Sequence, residues 1–261
     1  MYDLAALEAA LAGTVFAGKL HFSPLTGSTN TDALEAARAG APHGSVFFAD
    51  AQSAGRGRGD HRWESNAGQG LYVSVLLRLP LAAERVHLLP LAAGLAAAEA
   101  IGAASGLTTD LRWPNDLLLG VRKAGGILVE SKLEADRLAF AVAGIGINVH
   151  QRSFAADLDT PATSLDLVAG RTVSREALLV ALLKSLEREA TALLESSAVS
   201  TLPARVAAAS TWVRGRQVEV HGPQACAGVT AGLDEHGFLL VETAHGCVTV
   251  RTGGMRAAKA G

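Results

Sequence analysis

The chain has 261 residues, 49% hydrophobic and 18% charged, which is enough for a proper core and for one large domain with a small one beside it. A net charge of −2 excludes a broad basic surface for nucleic acid or anionic lipid, so any basic site is local. Cys226 and Cys247 form no C-x-x-C pair, which excludes a disulfide framework and a four-cysteine zinc site and fits a reducing, cytoplasmic setting.

The N-terminal segment MYDLAALEAALAG carries Asp3 and Glu8 in place of a basic stretch, so it does not read as a signal peptide; it predicts a short helix at about 3–12. TGSTNTDALEAARAGAP (26–42) predicts an amphipathic helix that starts between Ser28 and Thr31 and stops at Gly40-Ala41-Pro42. GSVFFADAQ (44–52) is β-rich and runs directly into QSAGRGRGDHRW (52–63). GLYVSVLLRL (70–79) alternates Leu71, Val73, Val75 and Leu77 against Tyr72, Ser74 and Arg78, the period of a strand. The apolar run 88–107 is rich in Ala and Gly and contains Pro90 and Glu99, so it predicts a helix buried in a soluble domain and no membrane span. Residues 107–149 predict an antiparallel meander of short strands parted by Pro-Asn-Asp, Arg-Lys-Ala-Gly-Gly and Glu-Ala-Asp-Arg. Beyond an irregular stretch at 150–173, Ser174 opens a long helix (174–197) with leucines at 178, 179, 182, 183 and 186 on one face. From about 211, short β-like segments with turn signals predict a small barrel.

Five clusters carry candidate chemistry, and each also reads as plain structure. Glycines and arginines at 55–59 suit a loop that closes over an anion, or a floppy basic loop. Ser28-Thr29-Asn30 reads as a helix cap, with Thr29-x-x-Asp32 as the capping pair, or as hydrogen bonders aimed into a pocket. Trp113-Pro114-Asn115-Asp116 is a good turn sequence, or a stiff mount for a reactive carboxylate. Lys123 beside Gly125 and Gly126 is a solvated hairpin lysine, or a point charge for a phosphate. Gly144 and Gly146 permit close strand packing, or let a flat ring approach the backbone with Asn148 reading its edge. There is no Walker A lysine, G-x-G-x-x-G, H-E-x-x-H or G-x-S-x-G, so standard nucleotide folds, zinc hydrolases and serine hydrolases lack support.

In order, S-T-N, Q-x-x-G-R-G-R, W-P-N-D-L, R-K-x-x-G-I-L-V-E and G-I-G-I-N-V resemble the biotin protein ligases over about 26–149, and G-x-x-x-G-L-D-x-x-G-x-L-L-V (228–241) resembles that family's C-terminal unit. The resemblance implies an α/β (α+β) fold: a mixed sheet with helices similar to class II aminoacyl-tRNA synthetases over 1–209, then a small SH3-like barrel over 210–261. It implies that biotin and ATP with Mg2+ give biotinoyl-5′-AMP and pyrophosphate, and that a lysine of a biotin carboxyl carrier domain then takes the biotinoyl group. By motif, Ser28, Thr29, Asn30 and Gln52, with Gly55 and Gly144, would line the biotin pocket. Arg56, Gly57 and Arg58 would fold over biotin and the adenylate phosphate. Lys123 would hold the bridging oxygens and Trp63 would pack on the adenine side. Asn148 would face the base, and Asn115 and Asp116 would lie at phosphates and metal. Lys123, Arg58 and Asp116 are the expected catalytic residues, with Asp116 also a candidate proton acceptor for the incoming lysine.

Two positions depart from the family pattern. Where G-R-G-R-x-G-R-x-W is usual, this chain has G-R-G-R-G-D-H-R-W, with Asp60 and His61 in place of glycine and a third arginine; Arg112 replaces the usual lysine before W-P-N-D. The glycine-rich loop, roughly 54–62, is expected to order on ligand binding. Twenty-seven residues precede Ser28, too few for the winged helix-turn-helix of some relatives, so no operator binding is expected. Neither nucleic acid nor membrane is an expected partner, and the chain reads equally as monomer or homodimer. A lipoate–protein ligase of the same fold is the nearest alternative, and a nucleic-acid-binding module is the alternative of another class.

Overall fold

The alternation in 70–79 builds the centre of the fold. Residues 2–59 and 61–258 are described by the structure, a computed structural model. Strand β3 (Gly70–Leu77) is buried along its whole length, with Leu71, Val73, Val75 and Leu77 in the main core and Leu76 in a second cluster on the opposite face. Around it are β1 (Leu20–Thr26), β2 (Val46–Gln52), β4 (Asp110–Arg112), β5 (Asp116–Leu119), β6 (Arg122–Glu134) and β7 (Arg137–Asn148). Their order is β1-β2-β3-β7-β6-β5-β4, with β1 and β2 parallel and the other neighbours antiparallel. The expected meander is β4 to β7.

Helices cover both faces. Helix α3 (Leu89–Ser105) lies over the main core with Ala92, Ala93, Ala96, Ala97, Ala100 and Ile101 buried; its small side chains admit α5 (Arg175–Ala192), which brings Leu178, Leu179, Leu182, Leu183 and Leu186. The apolar run is thus an internal helix. Helix α2 (Thr29–Arg38) covers the other face through Ala33 and Ala37 against Leu76, Phe140 and Val142. The short N-terminal helix α1 is Leu4–Ala10, capped by the Asp3 side chain.

Three elements differ from the sequence expectation. Strand β1 contains Pro24 and lacks strict alternation; its parallel pairing to β2 is supplied by tertiary contact. The irregular stretch holds a short helix, α4 (Leu165–Ala169). The long helix stops at Ala192, where Leu193, Leu194 and Glu195 tighten to i−3 bonds before α6 (Ser196–Ala208) begins.

The C-terminal β-segments form a separate five-stranded antiparallel sheet: β8 (Arg214–His221), β9 (Cys226–Leu233), β10 (Leu239–Thr243), β11 (Gly246–Val250) and β12 (Gly254–Ala257), in the order β11-β10-β9-β8-β12. It meets the larger sheet through the Trp113 indole N–H, which donates to the Gly237 carbonyl at 3.1 Å, and through His87 stacked on Phe238.

Candidate active site

Register explains where a site can form. On the α2 face, Tyr72, Gly146 and Gly126 make one row across β3, β7 and β6; Ser74, Gly144 and Leu128 make the next, and Leu76, Val142 and Glu130 the third. Three glycines and a serine leave a trough in an otherwise filled face. The Ser-Thr-Asn start of α2, the glycine–arginine loop and Lys123 all border it.

The trough is filled by the chain's own side chains. A Cβ on Gly144 would lie 2.1 Å from Asn30 Oδ1, and one on Gly146 would lie 2.7 Å from the Trp63 indole. The flat ring that these glycines admit is therefore Trp63, whose Nε1 is buried without a partner among the described residues. A Cβ on Gly55 would meet the Trp63 carbonyl at 2.2 Å, so a glycine is required where the loop enters this packing.

Ser28, Thr29 and Asn30 are each 4% exposed, and the capping reading fails for them. Ser28 is the N-cap residue without a side-chain cap bond, and Asp32 accepts instead from Thr26 at 2.7 Å. The Thr29 hydroxyl meets Ser74 at 2.8 Å and lies 3.2 Å from Gln52 Oε1, which accepts from the Thr29 backbone N–H at 2.9 Å. Gln52 Nε2 donates to Ser65 at 2.7 Å. Ser74 donates to Asn30 Oδ1 at 2.6 Å, and Asn30 Nδ2 donates to Glu130 at 2.8 Å. Ser65, Ser74 and Glu130 were missed in sequence; the alternation in β3 already placed Ser74 opposite the core side, and Glu130 ends the R-K-x-x-G-I-L-V-E motif.

Beside this network lies a charged cluster. Lys123 Nζ is 2.5 Å from Asp116 Oδ1, and Arg112 holds Asp116 Oδ2 through Nε at 3.0 Å and Nη2 at 2.5 Å. Burial would raise the Asp116 carboxyl pKa, but the charges and hydrogen bonds of Lys123 and Arg112 outweigh it and hold the group below the usual carboxylate range. Arg112 also donates to Thr160 at 3.0 Å and stacks over Trp212 at 5.1 Å. A planar fork can make these three contacts together and an ammonium cannot, which gives the departure from lysine a physical reason. Lys123 lies 5.7 Å over the Trp63 ring, and its backbone pairs with Pro161 and Thr163.

The remaining expected residues are committed to the protein itself. Asn115 Nδ2 donates to the Ile127 carbonyl at 2.9 Å, pinning the turn to β6. Asn148 donates to the Thr163 carbonyl at 3.0 Å and accepts from Gln151 at 3.3 Å. Arg56 pairs with Glu130 at 2.7 Å. Arg58 donates to the Gly253 carbonyl and to Thr252 Oγ1 of the second sheet, and burial pulls its pKa down while Asp116 opposes this. Gly57 bonds the His61 carbonyl at 2.7 Å and Arg56 bridges Arg62, so the loop folds as a small hairpin; Asp60 lies outside the described residues. A cavity of about 200 Å³ opens between the two sheets, lined by Arg58, Trp113, Pro114, Asn115, Phe238 and Arg251. Pockets for small molecules usually hold about 300–1,000 Å³, so a cofactor-sized ligand requires the loop to move.

Magnesium was expected near Asp116. Both oxygens of that carboxylate face cations, and among the described residues no three metal-ligating side chains converge. This donor set does not fit a resident magnesium ion.

Residues 22–148 match the family model described as the biotin/lipoate A/B protein ligase family. The chain is 34% identical over 234 residues to a biotin–[acetyl-CoA-carboxylase] ligase of Mycobacterium tuberculosis, covering 87% of this chain and 85% of that protein. It is 37% identical over 171 residues to the bifunctional ligase/repressor BirA of Bacillus subtilis and spans about half of that relative's length, 53%. Among solved structures, it superposes on the biotin protein ligase from Aquifex aeolicus in complex with biotin and ATP with a TM-score of 0.77 and 29% identity, covering 92% of this chain and 100% of that one.

Proposed function

The chain belongs to the biotin protein ligase family, and from that premise we propose that it activates biotin with ATP and passes the biotinoyl group to a lysine of a biotin carboxyl carrier domain. The observation that carries the reading is the meeting, on one face of one sheet, of a polar pocket built from Thr29, Asn30, Gln52 and Ser74 with a lysine held by a buried carboxylate. In the first step a biotin carboxylate oxygen attacks the α-phosphorus of ATP and pyrophosphate leaves; in the second the lysine amine attacks the acyl carbon and AMP leaves.

Negative charge gathers on the carboxyl and phosphate oxygens in both steps, and Lys123 is the point charge assigned to them. Asp116 and Arg112 keep the Lys123 ammonium aimed along the site before substrate arrives. With its pKa depressed by two cations, Asp116 is a weak proton acceptor for the incoming amine and serves better as the holder of Lys123. Arg56 and Arg58 would exchange Glu130 and the second sheet for the adenylate phosphate as the loop closes over it. Gly55 and Gly57 supply the bend. Trp63 and Asn148 would border the adenine, with Asn115 stiffening the turn behind the phosphates. Magnesium enters with the ATP phosphates as part of the substrate.

Residues 1–209 would carry this chemistry, and the sheet over 210–261 would close as an SH3-like barrel that helps hold the loop. The lipoate alternative is weaker because a dithiolane ring offers nothing to a pocket of hydroxyls and amides, whereas a ureido ring does. The test is pyrophosphate release with ATP and magnesium, comparing biotin with lipoate. Biotin-dependent release that falls about 10²–10³-fold in Lys123→Ala is the expected result, by the usual cost of losing a group that stabilises developing charge. Release with lipoate in place of biotin would overturn the substrate.

A further inference from the structure

Glu130 has no part in the roles above, yet two arms of the site end on it: Asn30 Nδ2 at 2.8 Å and Arg56 Nη2 at 2.7 Å. The Arg56 arm is the weaker one. Its side chain is 41% exposed, and exposed ion pairs contribute about 0–1 kcal/mol. Asn30 is 4% exposed, so its bond to the carboxylate runs through the interior.

Hydrogen-bond direction in the pocket is decided from the Glu130 end. A carboxylate only accepts, so Asn30 must turn its NH₂ toward Glu130 and its oxygen toward Ser74. An amide oxygen also only accepts, so Ser74 commits its single hydroxyl proton to Asn30 at 2.6 Å. The Ser74 oxygen can then only accept from Thr29 at 2.8 Å, which commits the Thr29 proton in turn. Gln52 Oε1 is bonded by the Thr29 backbone N–H, and its amide is fixed the same way round by Ser65. Thr29 Oγ1 is left with lone pairs and no proton to offer. Ser28, whose hydroxyl has no cap bond, stays free to donate.

We propose that Glu130 is a positioning residue that sets the donor–acceptor polarity of the ligand pocket, through Asn30 and Ser74, so that Thr29 presents an acceptor to a ring N–H of the substrate. The inference rests on the biotin reading above. A ureido ring carries N–H donors beside a carbonyl acceptor and matches this polarity. A dithiolane has neither. If position 130 loses its acceptor, the Asn30 amide can turn over, and each hydroxyl along the relay can then point either way.

The experiment measures KM for biotin, KM for ATP and kcat in pyrophosphate release for the full chain, Glu130→Met, Glu130→Gln, Ser74→Ala and the Glu130→Met/Ser74→Ala double variant. Glu130→Met is expected to raise the biotin KM about tenfold or more, from the range for bonds to charged groups, with the ATP KM little changed. Glu130→Gln, which still offers Asn30 an amide oxygen, is expected to recover most of that loss. In the Ser74→Ala background the relay is already cut, so Glu130→Met should add little. An unchanged biotin KM in Glu130→Met, full additivity with Ser74→Ala, or a Glu130→Gln variant as impaired as Glu130→Met would each overturn the proposal while leaving the ligase reading intact. Absence of biotin-dependent release by the unaltered chain would instead overturn the ligase reading, and the proposal with it.

Discussion

Replacing Gly144 by Ala tests whether the trough is built as described. Gly144 has ordinary strand backbone and is not among the positive-φ glycines, so the added methyl is purely a question of space. Its Cβ would sit 2.1 Å from Asn30 Oδ1 and 2.9 Å from Cγ, where ordinary contact begins at 3.4 Å, so the amide must retreat by more than 1 Å. That amide is held at 2.6 Å by Ser74 and at 2.8 Å by Glu130, and the retreat breaks or badly stretches both bonds. One neutral bond at about 1 kcal/mol and one to a charged group at about 1.5–3 kcal/mol give a loss of roughly 2.5–4 kcal/mol. Alanine offsets about 0.5–1 kcal/mol of this through lower backbone entropy in the unfolded chain. The net expectation is a fall of about 2–3 kcal/mol in urea-unfolding stability, with the same m-value, and a rise of at least tenfold in the biotin KM. Unchanged stability together with an unchanged KM would refute the argument, because Asn30 could not then be seated on Gly144.

Gly102 in α3 provides the contrast: a Cβ there meets only the Leu107 carbonyl, at 3.6 Å, so Gly102→Ala should stabilise by about 0.5–1 kcal/mol without altering biotin KM, read by urea denaturation and steady-state kinetics. Asp116→Asn leaves Lys123 and Arg112 facing each other uncompensated and should cost about 3 kcal/mol at pH 7. Because the folded-state pKa of Asp116 is depressed, its contribution is present above the unfolded value of about 3.9 and is lost as pH falls through the folded value. The stability gap between Asp116→Asn and the parent should therefore narrow below about pH 4; a gap independent of pH would contradict the ion-pair account. Trypsin cleavage after Arg56, Arg58 and Arg62 should slow at least severalfold with biotin and ATP, as the loop trades an exposed ion pair for a closed site; equal cleavage rates would show that it does not close.

Elements with one strong local signal were legible from the chain alone. Alternation in 70–79 located β3 and its core face, the Gly-Ala-Pro stop ended α2 near Arg38, and the turn residues parted the strands of the meander. The resemblance carried by the five motifs identified the family before any geometry. Motif position alone did not reveal what each side chain touches. Thr29 and Asp32 read as a capping pair, yet the structure turns Thr29 to Ser74, 45 residues away, and Asp32 to Thr26. Gly144 and Gly146 read as openings for a ligand ring, yet strand register sets them beneath Asn30 and Trp63. Glu130 is one acid at the end of a strand until Asn30, 100 residues earlier in the chain, reaches its carboxylate. Local sequence determines period, caps and turns because those depend on neighbours within a few residues. The direction of a hydrogen bond and the seat of a charge depend on groups brought together across the sheet, and only the tertiary structure decides them.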